Sequence, residues 1–138
     1  MVSLFSRKPT VEFDTDSVTV RGMMFKETVY YRDFLFAEVR ENMKIGGITG
    51  GSGYNGLRYL SGRAYNTEFG KYNIAADKRI KQLIVLYHNH GTLLFNTINE
   101  DETLMVFMSV KSRVKKRRPV SRKVVTARPK QTDRYELR

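Results

Sequence analysis

The sequence contains no cysteine. That excludes disulfides, thiol nucleophiles and cysteine-ligated metal sites, and it fits a reducing compartment. Long hydrophobic runs are also missing. None is longer than Leu83 to Tyr87, far short of the roughly 20 residues of a membrane-spanning helix. The apolar start, Met1 to Phe5, runs straight into Arg7 and Lys8, so no signal-peptide hydrophobic region forms. These features lead us to expect a soluble, cytoplasmic chain. Histidine is scarce, with only His88 and His90. Acidic residues are scarce in one place. Residues 111–138 hold 12 Lys and Arg against 2 acids, whereas residues 1–110 hold 13 against 12. The net charge of +11 is therefore concentrated at the C-terminus. A basic arm on a near-neutral body suits nucleic acid, anionic lipid or an acidic protein surface.

The 138 residues, 41% hydrophobic and 12% aromatic, suit one domain with a real core. Val18 and Val20 alternate with Ser17, Thr19 and Arg21, the period of a strand. Met24 to Tyr31 and Phe34 to Val39 continue in β-forming residues across an Arg32-Asp33 turn, the second run reading as buried on both faces. Lys44 to Gly62 then breaks the pattern with seven glycines, too many for a helix. Strands resume at Gly62 to Phe69, Lys71 to Ala76 and Leu83 to Tyr87. His88-Asn89-His90-Gly91 reads as a hairpin turn, with Thr92 to Thr97 returning. Asn99 with Glu102 resembles a capping box opening a helix. Its expected buried stripe is Leu104, Phe107, Met108 and Val114, widened by Met105, and Pro119 should end it. The organisation expected is a lead segment over 1–9, a β domain with its helix over 10–116, and a basic extended tail over 117–138. About seven strands with one C-terminal helix make the fold class mainly β, a bent antiparallel sheet or small barrel.

Few residues point to catalysis. Gly51 to Gly56 spells GxGxxG, but a dinucleotide site needs a strand before it and a helix opening at it. A strand pattern follows instead, so the glycines read as a structural loop. Gly46 to Ser52 lacks the Gly-Lys-Ser/Thr of a phosphate-binding loop. His88 and His90 share a strand face at i and i+2, but a metal needs a third ligand, and a polar hairpin tip accounts for both. Glu100, Asp101 and Glu102 sit where a helix dipole favours acids. No catalytic residue, metal or cofactor is expected. Tyr54, Tyr59, Tyr65, Phe69 and Tyr72 are interleaved with basic residues, and Arg58, Arg63, Tyr65, Lys71 and Tyr72 form a candidate β-face site. Such a surface stacks on single-stranded nucleic acid or serves a protein interface. The arm offers Lys115, Lys116, Arg117, Arg118, Arg122, Lys123 and Arg128 for an acidic partner.

The order of these features resembles the bacterial pleckstrin-homology-like (PH-like) domains. The resemblance runs over about residues 10–115 and is carried by Phe34 to Val39, the glycine loop, Gly62-Arg63-Ala64-Tyr65-Asn66-Thr67-Glu68-Phe69-Gly70-Lys71-Tyr72, Leu83 to Tyr87, Thr92 to Asn96 and Asn99-Glu100-Asp101. It implies a strongly bent antiparallel sheet, partly closed into a barrel and capped by the helix, in a binding or assembly module. The basic tail lies outside the family pattern. The function expected is a non-enzymatic interaction module that docks on a protein or self-associates, its arm binding a protein complex or nucleic-acid-containing assembly. Direct nucleic-acid binding through arm and β face, and peripheral binding to anionic membrane, are the alternatives.

Overall fold

The computed structural model describes residues 8–41 and 53–114. It is mainly β with one C-terminal helix. The strands are β1 (Thr10–Phe13), β2 (Ser17–Gly22), β3 (Phe25–Tyr30), β4 (Phe34–Glu41), β5 (Gly53–Asn55), β6 (Tyr59–Asn66), β7 (Gly70–Asp77), β8 (Gln82–His88) and β9 (Gly91–Phe95), followed by α1 (Glu100–Arg113). A single 3-10 turn, Tyr31–Asp33, joins β3 to β4. The sequence pattern foresees about seven strands. The two extra ones, β1 and β5, are four and three residues long, too short to show a period of their own.

Two sheets form, and neither closes on itself among the described residues. The first is a three-stranded meander, β1-β2-β3. The second has six strands in the order β4-β8-β9-β7-β6-β5. All its pairings are antiparallel except β7 with β9, which run parallel from Asn73↔Leu93 to Ala75↔Phe95. Period-two alternation divides its side chains between two cores. Ala37, Ala75, Ile84, Leu86, Leu93 and Phe95 face the first sheet and α1, meeting Val18, Val20, Val29 and Val110. Leu60, Ile74, Leu83, Val85 and Leu94 face the opposite way, with Tyr72 and the partly buried Phe69 and Tyr87. Leu83 to Leu86 feeds both cores by turns, which is why the run is apolar throughout.

The larger sheet is bent around this second core. Arg40 on β4 forms an ion pair with Glu68, in the β6–β7 turn, and its guanidinium lies 5.1 Å from the centre of the Phe69 ring. Phe69 also meets Tyr87 at 6.2 Å. In a flat sheet β4 and β7 would stand three strand spacings apart, about 14 Å, so only a curled sheet brings these groups together. Strand β4 is an edge of that sheet, with a register irregularity between Phe34 and Phe36. It is consequently not buried on both faces: Leu35 and Phe36 are 41% and 55% exposed.

Helix α1 opens at Asn99, whose Oδ1 accepts from the Glu102 amide at 3.1 Å. Only that half of the capping box forms, because the Asn99 amide donates to Thr97 Oγ1 instead. Buried Thr103 completes the junction: its Oγ1 accepts from the Thr97 amide at 2.9 Å and the same hydroxyl lies 2.9 Å from the Asn99 carbonyl. The helix ends at Arg113 with Val114 as its C-cap, before Pro119. Arg113 stacks on Phe13 and Tyr31 at 4.8 and 4.9 Å. The buried stripe is Thr103 and Val110, with Val106, Phe107 and Val114 partly buried beside them. Leu104, Met105 and Met108 face solvent instead. Among the described residues, no helix is long and apolar enough to cross a membrane.

Candidate functional site

Beside the shared core, the two sheets approach most closely at Gly22. A Cβ on Gly22 would lie 2.7 Å from Ser61 Cβ and 3.3 Å from Ala75 Cβ, so glycine is what permits the contact. Ser61 Oγ donates to the Met23 carbonyl at 3.1 Å and fixes it. On the same face of β6, two residues further on, comes Arg63, paired across the strands with Asn73 of β7. Here the sheets enclose a cleft of about 790 Å³. The β2–β3 hairpin contributes Met24, Lys26 and Glu27 to it, and the larger sheet contributes Tyr54, Arg63 and Asn73. Met24 turns the hairpin at φ 50°, a left-handed conformation uncommon for a side chain other than glycine. Its side chain is 75% exposed at the rim.

The back of the cleft is polar and interlocked. Glu27 Oε1 accepts from Asn73 Nδ2 at 2.6 Å, joining the sheets. Its Oε2 lies 3.2 Å from His88 Nε2. His88 Nδ1 accepts from the His90 amide at 3.2 Å, which places the neutral ring's proton on Nε2. That N–H is not aligned for a hydrogen bond, so it meets the carboxylate as an electrostatic contact only. The adjoining turn is tied to Asp33: Asn89 Nδ2 donates to its Oδ1 at 3.0 Å, and His90 Nε2 stands 3.5 Å from its Oδ2. The Asn89 hydrogen bond holds the Asp33 carboxyl below the usual range; desolvation opposes it, and His90, Arg32 and His88 add to the lowering. Among the described residues, no group of three or more His, Asp or Glu side chains is placed to hold a metal ion.

At the cleft mouth Lys26 and Arg63 are exposed. Neither has an ion-pair partner among the described residues, whereas four arginines of the body do. Arg40 holds Glu38 at 2.8 Å as well as Glu68. Arg58 and Arg79 flank buried Asp77 at 3.1 and 3.5 Å, and Arg21 reaches Glu12 at 3.7 Å.

The structure brings together three of the five β-face residues read from the sequence. Arg63, Tyr65 and Lys71 share one face, with Tyr65 directly opposite Lys71 and 54% exposed. Tyr72 does not join them. Its position has the opposite parity, and it is 5% exposed in the second core. Arg58 is taken up by Asp77 and lies 4.7 Å over the Tyr59 ring. Sequence reasoning missed Lys26, Glu27 and Asn73. The available signal was Glu27, an acid at a core-parity position between Phe25 and Val29. Of the GxGxxG glycines, Gly51 lies outside the described residues and Gly56 serves packing, since the Tyr54 ring occupies the place of a Gly56 Cβ, and Tyr59–Asn66 follows as a strand. The arm residues Lys115, Lys116, Arg117, Arg118, Arg122, Lys123 and Arg128 lie outside the described residues. No family model, curated protein or solved structure matches the chain.

Proposed function

We propose that the chain is a non-enzymatic, cytoplasmic interaction module of PH-like plan, whose body docks on a protein or a second copy and whose basic arm, residues 117–138 with Lys115 and Lys116, grips an acidic partner. The observation that carries this reading is where the charges go. The body's acids at positions 12, 38, 68 and 77 already have cationic partners within the body, while 12 of the chain's 25 Lys and Arg fall in its last 28 residues. Residues 1–110 hold 13 Lys and Arg against 12 acids, so the body has no net negative charge with which to offset the arm, whose charge is available to another molecule. The PH-like plan is supported by the curled six-stranded sheet, the meander packed across it and the single closing helix.

The test is truncation after Val114, which keeps the Arg113 stacking and the Val114 packing intact. The native partner is captured and its binding measured against salt. If six arm cations neutralise a nucleic-acid backbone, the slope of log affinity against log salt is about −4 to −5. Truncation should abolish the slope; unchanged binding by the truncated chain would overturn the reading.

A second reading rests on Tyr65 standing beside Lys71 and Arg63 on one exposed face. That trio can stack on and neutralise single-stranded nucleic acid. In this reading Tyr65→Ala weakens oligonucleotide binding by about 1–3 kcal/mol, and Tyr72→Ala acts only through stability.

A further inference from the structure

Helix α1 carries two apolar stripes on opposite sides. The first, Val106, Phe107, Val110 and Val114, is turned into the core with Thr103. The second is Leu104, Met105 and Met108, which are 41%, 73% and 63% exposed. At 3.6 residues per turn these three are contiguous and centred about 150° from the buried stripe. Asp101 extends the exposed stripe one turn towards the N-terminus, and Lys111 and Ser112 extend it one turn towards the C-terminus; all three are exposed. From Asp101 to Lys111 the stripe runs about 15 Å and reads acidic, apolar, basic. The basic end is continued in sequence by Lys115, Lys116, Arg117 and Arg118, and the acidic end is flanked by Glu100 and Glu102.

A stripe with that order is complementary to its own reverse. We propose that this face of α1 pairs with the same face of a second copy across a two-fold axis at the level of residue 106 along the helix, the helices antiparallel. Leu104 then meets Met108 of the second copy, and Asp101 meets its Lys111, each contact occurring twice as symmetry requires. A uniformly anionic surface suits the stripe poorly, because Glu100 and Asp101 would face it. The Thr97–Thr103 junction presents the stripe at a fixed angle. The inference rests on the interaction-module reading and gives the body one occupant.

The test uses the full chain in sedimentation equilibrium. Wild type should be a dimer, and Met108→Glu should raise its dissociation constant by about tenfold or more, since it buries a charge at the centre of the contact. The side chain is exposed, so unchanged thermal melting and far-ultraviolet circular dichroism show that the fold persists. Asp101→Lys and Lys111→Glu should each weaken the dimer, because each sets like charges opposite one another. An equimolar mixture of those two variants should dimerise again, since the two introduced charges are opposite in sign and face each other, and the native Asp101–Lys111 contact is kept on the other side. A purely local effect on helix stability would not be cured by mixing. A monomeric wild type, an unaffected Met108→Glu dimer or failure of the mixture to recover overturns the proposal. Salt-dependent partner binding is measured on the same variants. If it persists while the dimer is absent, only the self-pairing is refuted; if truncation after Val114 leaves it unchanged, only the arm reading is.

Discussion

Replacing Asn96 by alanine should be among the most damaging single changes in the body. Asn96 is 1% exposed, and its side chain closes three hydrogen bonds. Oδ1 accepts from the Asp77 amide at 2.7 Å, and Nδ2 donates to the carbonyls of Asp77 and Gln82, both at 3.1 Å. One residue thereby joins the end of β7, the start of β8 and the segment leading to α1. Alanine leaves the Asp77 amide buried without an acceptor, a cost of about 1–3 kcal/mol. The Asp77 carbonyl keeps the Ile80 amide and loses less. With the Gln82 carbonyl and the small cavity left behind, the total comes to roughly 3–5 kcal/mol. Against a domain stability of about 5–15 kcal/mol this is a large share. It should lower Tm by roughly 15–30 °C for a body of this size. With no tryptophan and eight tyrosines in the chain, urea unfolding is followed by circular dichroism and tyrosine fluorescence together. The midpoint should fall while the slope stays constant. A loss below about 1 kcal/mol would refute the assignment of Asn96 as the buried link, and would mean that water replaces it without penalty.

The sheet contact can be tested at Gly22: an added methyl would meet Ser61 Cβ at 2.7 Å, so Gly22→Ala should cost about 1–3 kcal/mol. Ser61→Gly should recover part of that in a double-mutant cycle, and additive losses would show that the two residues do not touch. Tyr87 is pushed above its usual pKa by burial, by the Glu38 charge and by its hydrogen bond to Glu38; burial does the same to Tyr72. Both groups have a folded pKa above the unfolded value of about 10, so their contribution is full below pH 10 and is lost as pH rises beyond it. A spectrophotometric titration of the folded chain should therefore lack these two phenols in its first wave, and eight titrating together near pH 10 would contradict the burial. Asp33 shifts the other way: its contribution is in place above the unfolded value of about 3.8 and is lost as pH falls through the lower, folded one. Asn89→Ala should move the Asp33 carboxyl resonance to titrate at higher pH, and an unmoved midpoint would remove the hydrogen bond as the cause.

Features that depend on neighbours in sequence were legible before any coordinates. The His88–Gly91 turn, the Leu83 to Tyr87 strand and the Asn99 cap each follow from local rules of turn chemistry, periodicity and capping. Features that depend on register were not. Tyr65 and Tyr72 look equivalent in the sequence, but the Asn66↔Gly70 closure, with Gly70 at φ +70°, sets Tyr65 opposite Lys71 and sends Tyr72 to the other face. A one-residue shift would reverse that assignment. The cleft was hidden for a stronger reason. It is made by two sheets whose close approach, Gly22 on Ser61, joins residues with no pattern in common, so Lys26 and Arg63 come to line one cleft only through tertiary packing.

The helix face shows why an apolar count does not settle orientation. Leu104, Met105 and Met108 outweigh Thr103 in hydrophobicity, and burying them would gain about 1.5–3 kcal/mol each. The opposite face is buried nonetheless. It offers Val106, Phe107, Val110 and Val114, so the apolar gain is nearly matched, and the balance passes to the polar groups. Turning Thr103 outward would strip the buried Thr97 amide of its acceptor, a penalty of about 1–3 kcal/mol, and would break the hydroxyl contact with the Asn99 carbonyl. A threonine thus selects the inward side and leaves three large apolar residues outside. Single exposed apolar side chains are ordinary on protein surfaces. Three that are contiguous on one helix face, bounded by an acid at one end and bases at the other, form a patch with a direction, and direction is what allows one copy of the face to recognise another.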